Sequence, residues 1–112
     1  MIKFDLDPDP NQEFMILLDG QSCTINIYDR DGLLYLDLYK DGEPVQLGSL
    51  LQPREPTVTR TDRDFRGNIR VVDMGNEPDR QCMPFYQGLG GRFEVYYLTA
   101  QEEKEVARYE LY

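Results

Sequence analysis

Asp-Gly occurs three times in one stretch of the chain, at Asp19-Gly20, Asp31-Gly32 and Asp41-Gly42, each between runs rich in apolar residues. The dipeptide is the strongest short-range hairpin signal, because a two-residue type I′ turn needs two neighbours that tolerate positive φ. Reading each as a two-residue loop fixes which residues face one another. Across the first turn Ile16 faces Cys23 and Phe14 faces Ile25. Across the second, Ile27 faces Leu36 and Ile25 faces Leu38; across the third, Leu38 faces Val45 and Leu36 faces Leu47. Strand side chains alternate with period two, so all of these fall on one face of one sheet. A one-residue slip at any turn would send a whole row to the other side. The three turns agree, and Phe14 to Leu47 is predicted to be a four-stranded antiparallel meander.

The other face of the meander is mixed. Met15, Leu17, Tyr28, Tyr35 and Tyr39 share it with Thr24, Asn26, Asp37 and Gln46. Such a face is partly covered, by the second half of the chain or by a partner. Tyr28 falls opposite Tyr35, a cross-strand aromatic pair worth up to about 1 kcal/mol. Asp37 would share a solvated polar row with Asn26 and Gln46. Pro44 opens the fourth strand, where a missing N–H costs least at a sheet edge.

With 112 residues the chain makes one domain, 1–112. A domain of this size buries roughly two-thirds of its unfolded surface, enough for one core without staples. Residues 1–11 read as an extended arm: Ile2, Phe4 and Leu6 alternate, then Asp7-Pro8-Asp9-Pro10 holds the backbone extended. It is a strand on the domain's own edge or a limb laid on a neighbour. Residues 12–98 form the β domain. From Gly48 to Gly67, through Pro53, Pro56 and the charged run Arg60 to Asp64, a long connection crosses between two groups of strands. Ile69 to Asp73 is the next strand, with Ile69, Val71 and Asp73 opposite in phase to Arg70 and Val72. A second long loop, Met74 to Gly91, leads to a closing strand from Arg92 to Leu98. There Phe93, Val95 and Tyr97 oppose Glu94, Tyr96 and Leu98 in phase, so Tyr96 and Tyr97 point to opposite sides. The tail, 99–112, opens on Thr99-Ala-Gln-Glu102, a capping box, followed by two or three helical turns with Val106 and Tyr109 at i, i+3. So short a helix needs a docking surface. The fold class is all-β, mainly antiparallel: a single twisted meander sheet closing into a small barrel or sandwich, with a short C-terminal helix.

Lys and Arg number 12 against 21 Asp and Glu, a net charge of −9. That balance argues against nucleic acid, whose phosphates need a basic patch, and against an anionic membrane surface. It gives solubility, or an acidic face for a basic partner. The two cysteines, Cys23 and Cys82, make no disulfide framework, and Cys23 lies in the inward row of its strand. The N-terminus holds no apolar run of signal-peptide length and no stretch approaches a membrane span, which points to synthesis in the cytoplasm.

Catalytic chemistry is sparsely provided for. The chain has no histidine, which removes the commonest general base and metal ligand. Neither cysteine has a second ligand at zinc spacing, and no nucleophile elbow, Walker loop or dinucleotide fingerprint is present. Gly88-Leu89-Gly90-Gly91 precedes a strand rather than opening a helix, so it is a turn. The carboxylates Asp29, Asp31, Asp41 and Glu43 sit at turn positions, leaving Asp37 and Asp73 as the candidates for a two-carboxylate hydrolase. The loop from Asp73 to Asp79 lacks the alternating-oxygen spacing of an EF-hand. The reading is therefore of a non-enzyme with no cofactor and no metal. Its eight tyrosines leave a ligand-binding β module, of carbohydrate type and using Tyr86 or Tyr96, as the alternative to an assembly component.

The order of motifs resembles a known family. It runs F-x-L-D-P-D-P-N-Q-E-F (Phe4 to Phe14), L-D-G-Q-S (Leu18 to Ser22), Y-L-D-L-Y-K-D-G-E-P-V (Tyr35 to Val45), G-N-I-R-V-V-D (Gly67 to Asp73), L-G-G-R-F (Leu89 to Phe93) and V-Y-Y-L (Val95 to Leu98). This is similar to the small baseplate plug proteins of tailed bacteriophages. Each motif is a turn or a strand end, and their order and spacing carry the resemblance over nearly residues 4 to 98. Thr99 to Tyr112 lies beyond it. The resemblance implies a structural virion protein that sits near the central hub, plugging or connecting the tail tube in symmetric copies. Its implied partners are other baseplate, hub and tail-tube proteins. Asp73, Leu89, Arg92 and Tyr96, near the ends of the closing strands, are the candidate subunit-interface residues.

Overall fold

A computed structural model describes residues 1–59, 65–75 and 83–109, with side chains to residue 105. The charged run Arg60 to Asp64, Cys82, most of the acidic loop to Asp79 and the Val106/Tyr109 pair lie outside what is described. Among the described residues, seven strands and one α-helix follow in order, with a short 3-10 turn at Tyr86–Gly88 before the last strand: β1 (Ile2–Lys3), β2 (Asn11–Leu18), β3 (Gln21–Arg30), β4 (Leu33–Lys40), β5 (Glu43–Leu50), β6 (Asn68–Asp73), β7 (Phe93–Leu98) and α1 (Ala100–Tyr109). They form two sheets rather than one. The meander β2-β3-β4-β5 is the first and β1-β7-β6 the second, with every named strand pair antiparallel.

All three Asp-Gly turns take the geometry expected of them. The aspartates have φ of 52°, 55° and 52° and the following glycines 75°, 86° and 81°, the pair of positive values that type I′ requires. Ile16 pairs with Cys23, Phe14 with Ile25, Ile25 with Leu38 and Ile27 with Leu36. Cys23, Ile25, Ile27, Leu36 and Leu38 are all buried. Burial also pushes the Cys23 thiol pKa up.

The fourth strand departs from the expected register. Leu38 pairs with Gln46 rather than Val45, and Leu36 with Ser49 rather than Leu47, across two irregularities. Val45 still reaches the core at 5% exposure, but Leu47 is 55% exposed. The cause lies in the polar side chains. The Asp37 carboxylate accepts the Gly48 N–H at 2.7 Å and the Tyr28 hydroxyl at 3.1 Å, and Gly48 has φ +66. Gln46 donates to the Thr57 carbonyl at 3.0 Å and accepts the Thr59 N–H at 2.7 Å. Asp37 therefore does not lie in a merely solvated row: it holds a bulge, and the bulge turns Leu47 outward. Tyr28 and Tyr35 stack as expected, with ring centroids 6.0 Å apart.

The second sheet closes over the first. Ile69, Val71, Phe93, Val95 and Tyr97 join the meander's inward row in one core cluster. The crossing connection lies along β6, through a bridge from Pro53 to Val71 and a Thr57 N–H bond to the Ile69 carbonyl at 3.0 Å. The arm belongs to the domain itself. Ile2 and Lys3 pair with Tyr97 and Tyr96, and Phe4 and Leu6 are buried at 3% and 6% exposure. Buried Gln21 ties the sheets together: its amide donates to the carbonyls of Leu18 and Arg66, both at 3.0 Å, and accepts the Arg66 N–H at 2.8 Å. The capping box forms in both directions, Glu102 N–H to Thr99 Oγ1 at 3.2 Å and Thr99 N–H to Glu102 Oε1 at 2.9 Å. No helix is long and apolar enough to cross a membrane among the described residues.

Candidate functional site

The ends of β6 and β7 meet in a corner built on one ion pair. Arg92, just before β7, donates from Nε to Asp73 Oδ1 at 2.9 Å and from Nη2 to Asp73 Oδ2 at 3.1 Å. The Met74 N–H donates to the Arg92 carbonyl at 2.7 Å and the Gly75 N–H to Asp73 Oδ1 at 2.9 Å. The fork geometry of a guanidinium on a carboxylate fixes both side chains. It also holds the Asp73 carboxyl below the usual range, Arg92's hydrogen bonds being the largest cause. The same guanidinium stands 5.2 Å from the centre of the Phe93 ring, within cation–π range.

Leu89 does not stand in this corner as a surface residue. It is 3% exposed, bridged to Phe93 and part of the core. The turn after it is tight, since a Cβ on Gly90 would lie 2.4 Å from the Leu6 carbonyl oxygen. Leu89 therefore fixes the loop to the core.

Tyr96 stands on the outer face of the second sheet, paired in register with Lys3 on one side and Arg70 on the other. Its hydroxyl donates to Glu94 Oε2 at 2.9 Å, and the Lys3 ammonium lies 3.3 Å from the same oxygen. Tyr97, its neighbour, is buried at 1% exposure, so the two tyrosines do point to opposite sides. Arg70 grips Glu103 of α1 with two bonds of 2.9 and 2.7 Å, and the N-terminal amine meets Glu102. These contacts dock the short helix against the sheet. The structure thus joins Asp73 to Arg92, sets Leu89 inside, and places Tyr96 four residues beyond Arg92 on the polar outer face.

The arrangement binds charges to one another rather than presenting them to a substrate. No group of three His, Cys, Asp or Glu side chains able to hold a metal ion occurs among the described residues. Tyr86 is half-buried against the core cluster, and nothing here favours the carbohydrate reading.

One surface was only partly foreseen. Met15 and Leu17, on the outward face of β2, are 77% and 66% exposed, and Met74 beside the Asp73 corner is 54% exposed. The signal in the sequence is the uncharged run Phe14 to Leu18.

A family model described as cyanophage baseplate Pam3 plug gp18 matches residues 1–101. No curated protein matches the chain.

Proposed function

The chain belongs to the cyanophage baseplate plug family, a structural component of the phage tail baseplate, and from that premise we propose that it plugs or connects the tail tube and central hub through subunit interfaces. The observation that carries this is the extent of the match, which takes in both sheets and the capping residue of α1. Its partners are then other baseplate, hub and tail-tube proteins in a symmetric multi-copy assembly, and its role is structural rather than catalytic. The Asp73–Arg92 corner, with exposed Met74 beside it, and the Tyr96 face are the surfaces offered to neighbours; Leu89 supports the corner from inside. The two sheets share one core, so residues 1–112 act as one domain of sandwich type.

Purified virions test this. Mass spectrometry should find the chain in tail particles, and antibody labelling should mark the end of the tail that carries the baseplate. Absence from virions, or labelling along the tail shaft or on the head, would overturn it. Crosslinking in intact tails should join Tyr96 or Met74 to hub or tube subunits, and crosslinks confined to other faces would move the interface elsewhere.

A further inference from the structure

A sheet edge left open is a template for another strand, and folded proteins shorten, cover or charge their edges to prevent it. Three of the edges here are dealt with. β1 is two residues long. β6 is covered by the crossing connection. β5 is irregular and tied by Gln46 and Ser49 to Thr57 and Thr59. β2 is different. It runs for eight residues, Asn11–Leu18, in unbroken register with β3. It contains no Lys, no Pro and no bulge, and its one charge is Glu13.

The hydrogen-bond parity of β2 follows from its turn. In a two-residue hairpin the flanking residues, Leu18 and Gln21, exchange bonds, and bonded pairs then alternate along the ladder. Ile16, Phe14 and Gln12 are therefore bonded to β3, and the Asp29 N–H bond to the Pro10 carbonyl, 2.8 Å, continues the same alternation. The N–H and C=O groups of Asn11, Glu13, Met15 and Leu17 consequently point away from β3, and among the described residues they have no partner. These same four residues carry the exposed side chains of the strand.

Charge selects the occupant. The second sheet has two carboxylates, Asp73 and Glu94, and each has a basic partner. In the segment that leads into the open edge, Asp7 and Asp9, and on the edge itself Glu13, are exposed and make no ion pair among the described residues. Gln12 brackets this acidic entry by bonding the Asp7 backbone at both N–H and C=O, 3.2 and 2.7 Å. We propose that β2 is the docking edge for an extended segment of a different baseplate subunit, which adds a fifth strand to the meander. That segment lays apolar side chains over Met15 and Leu17 and presents Lys or Arg to Glu13, Asp7 and Asp9. A second copy of this chain, at −9, brings the wrong charge.

On the baseplate reading above, the test uses tail particles assembled with the chain, or a variant, supplied in trans. Hydrogen exchange of the segment 11–18 is compared between the isolated chain and the particles, with at least tenfold slowing expected on assembly. Met15→Pro removes an outward N–H while leaving the bonds to β3 in place, and Met15→Lys puts a cation over the edge. Each should lower the amount of chain in purified particles at least tenfold. Glu13→Lys should lower it as well. Far-ultraviolet circular dichroism and the unfolding midpoint of isolated Met15→Lys should match the wild type. Unchanged exchange in wild-type particles, or wild-type incorporation of Met15→Lys, overturns the edge assignment while leaving the baseplate role standing. Wild-type incorporation of Glu13→Lys overturns the basic character of the partner. Sedimentation of the isolated chain should show a monomer; a dimer that Met15→Lys dissociates would make the occupant a second copy. Absence of the wild-type chain from the particles overturns the baseplate role, and this inference with it.

Discussion

The backbone N–H of Gly48 donates to the carboxylate of Asp37, eleven residues earlier, at 2.7 Å. The contact is made where Gly48 takes φ +66 and β5 leaves regular register with β4, and it holds the strand in that course. Hydrogen bonds to a buried or half-buried charge contribute about 1.5–3 kcal/mol. Asp37→Ala should therefore destabilise the chain by roughly that amount in urea unfolding. Gly48→Ala should cost about 1–2 kcal/mol from its backbone conformation, since the added Cβ meets nothing nearer than the Tyr28 hydroxyl at 3.8 Å. The double variant should cost less than the sum, as both act on one bond.

The shifted register separates two leucines that the turn geometry alone would treat alike. Leu38 is fully buried and Leu47 is 55% exposed. Leu38→Ala should cost about 2–5 kcal/mol, and Leu47→Ala should stay within about 0.5 kcal/mol of the wild type. Equal losses in chemical denaturation would mean that the fourth strand runs without bulges.

Glycines at positive φ divide in the same way. At Gly32, φ +86, an added Cβ meets nothing within 4 Å, whereas at Gly67, φ +91, it lies 2.3 Å from the Leu98 carbonyl oxygen. Gly32→Ala should cost about 1–2 kcal/mol in backbone conformation. Gly67→Ala must also push apart the start of β6 and the end of β7, for a total of roughly 2–5 kcal/mol. Thermal midpoints would rank the two.

Acid should weaken the domain through identifiable carboxylates. Asp73 is held low chiefly by Arg92, Glu94 by the Tyr96 hydroxyl and Glu102 by the N-terminal amine. Each folded pKa lies below its unfolded value, so the stabilisation is fully present above the unfolded values, about pH 4–4.5. It is lost as pH falls through the folded ones. Asp73→Asn should flatten this acid limb in urea midpoints measured from pH 6 down to pH 2, and a limb as steep as the wild type's would exclude the Asp73–Arg92 pair as its source.

Local signals were the legible ones. The Asp-Gly turns state their own geometry, and with them the pairing of Ile25 to Leu38. The capping box at Thr99 and Glu102 and the opposed directions of Tyr96 and Tyr97 are likewise decided within a few residues. The bulges of β5 are not, because they depend on Asp37, Gln46 and a connection that returns through Thr57. The division into two sheets was half legible: the connection from Gly48 to Gly67 reads as a crossing between two groups of strands, but its loop composition does not say that the groups fail to join in one sheet. Of the residues picked out near the strand ends, Asp73 and Arg92 turn out to pair with each other, while strand-end reasoning overlooked that Leu89 is buried. The open edge of β2 was invisible because an edge is defined by what fails to pair with it, and no single strand's sequence records that.

The buried amide of Gln21 has a mechanical consequence. It grips the carbonyl that ends β2 and both backbone groups of Arg66, at the approach to β6, so a shear of one layer past the other has to break the bonds to Arg66. A force applied to one sheet is therefore passed to the other through this single amide as well as through the shared core.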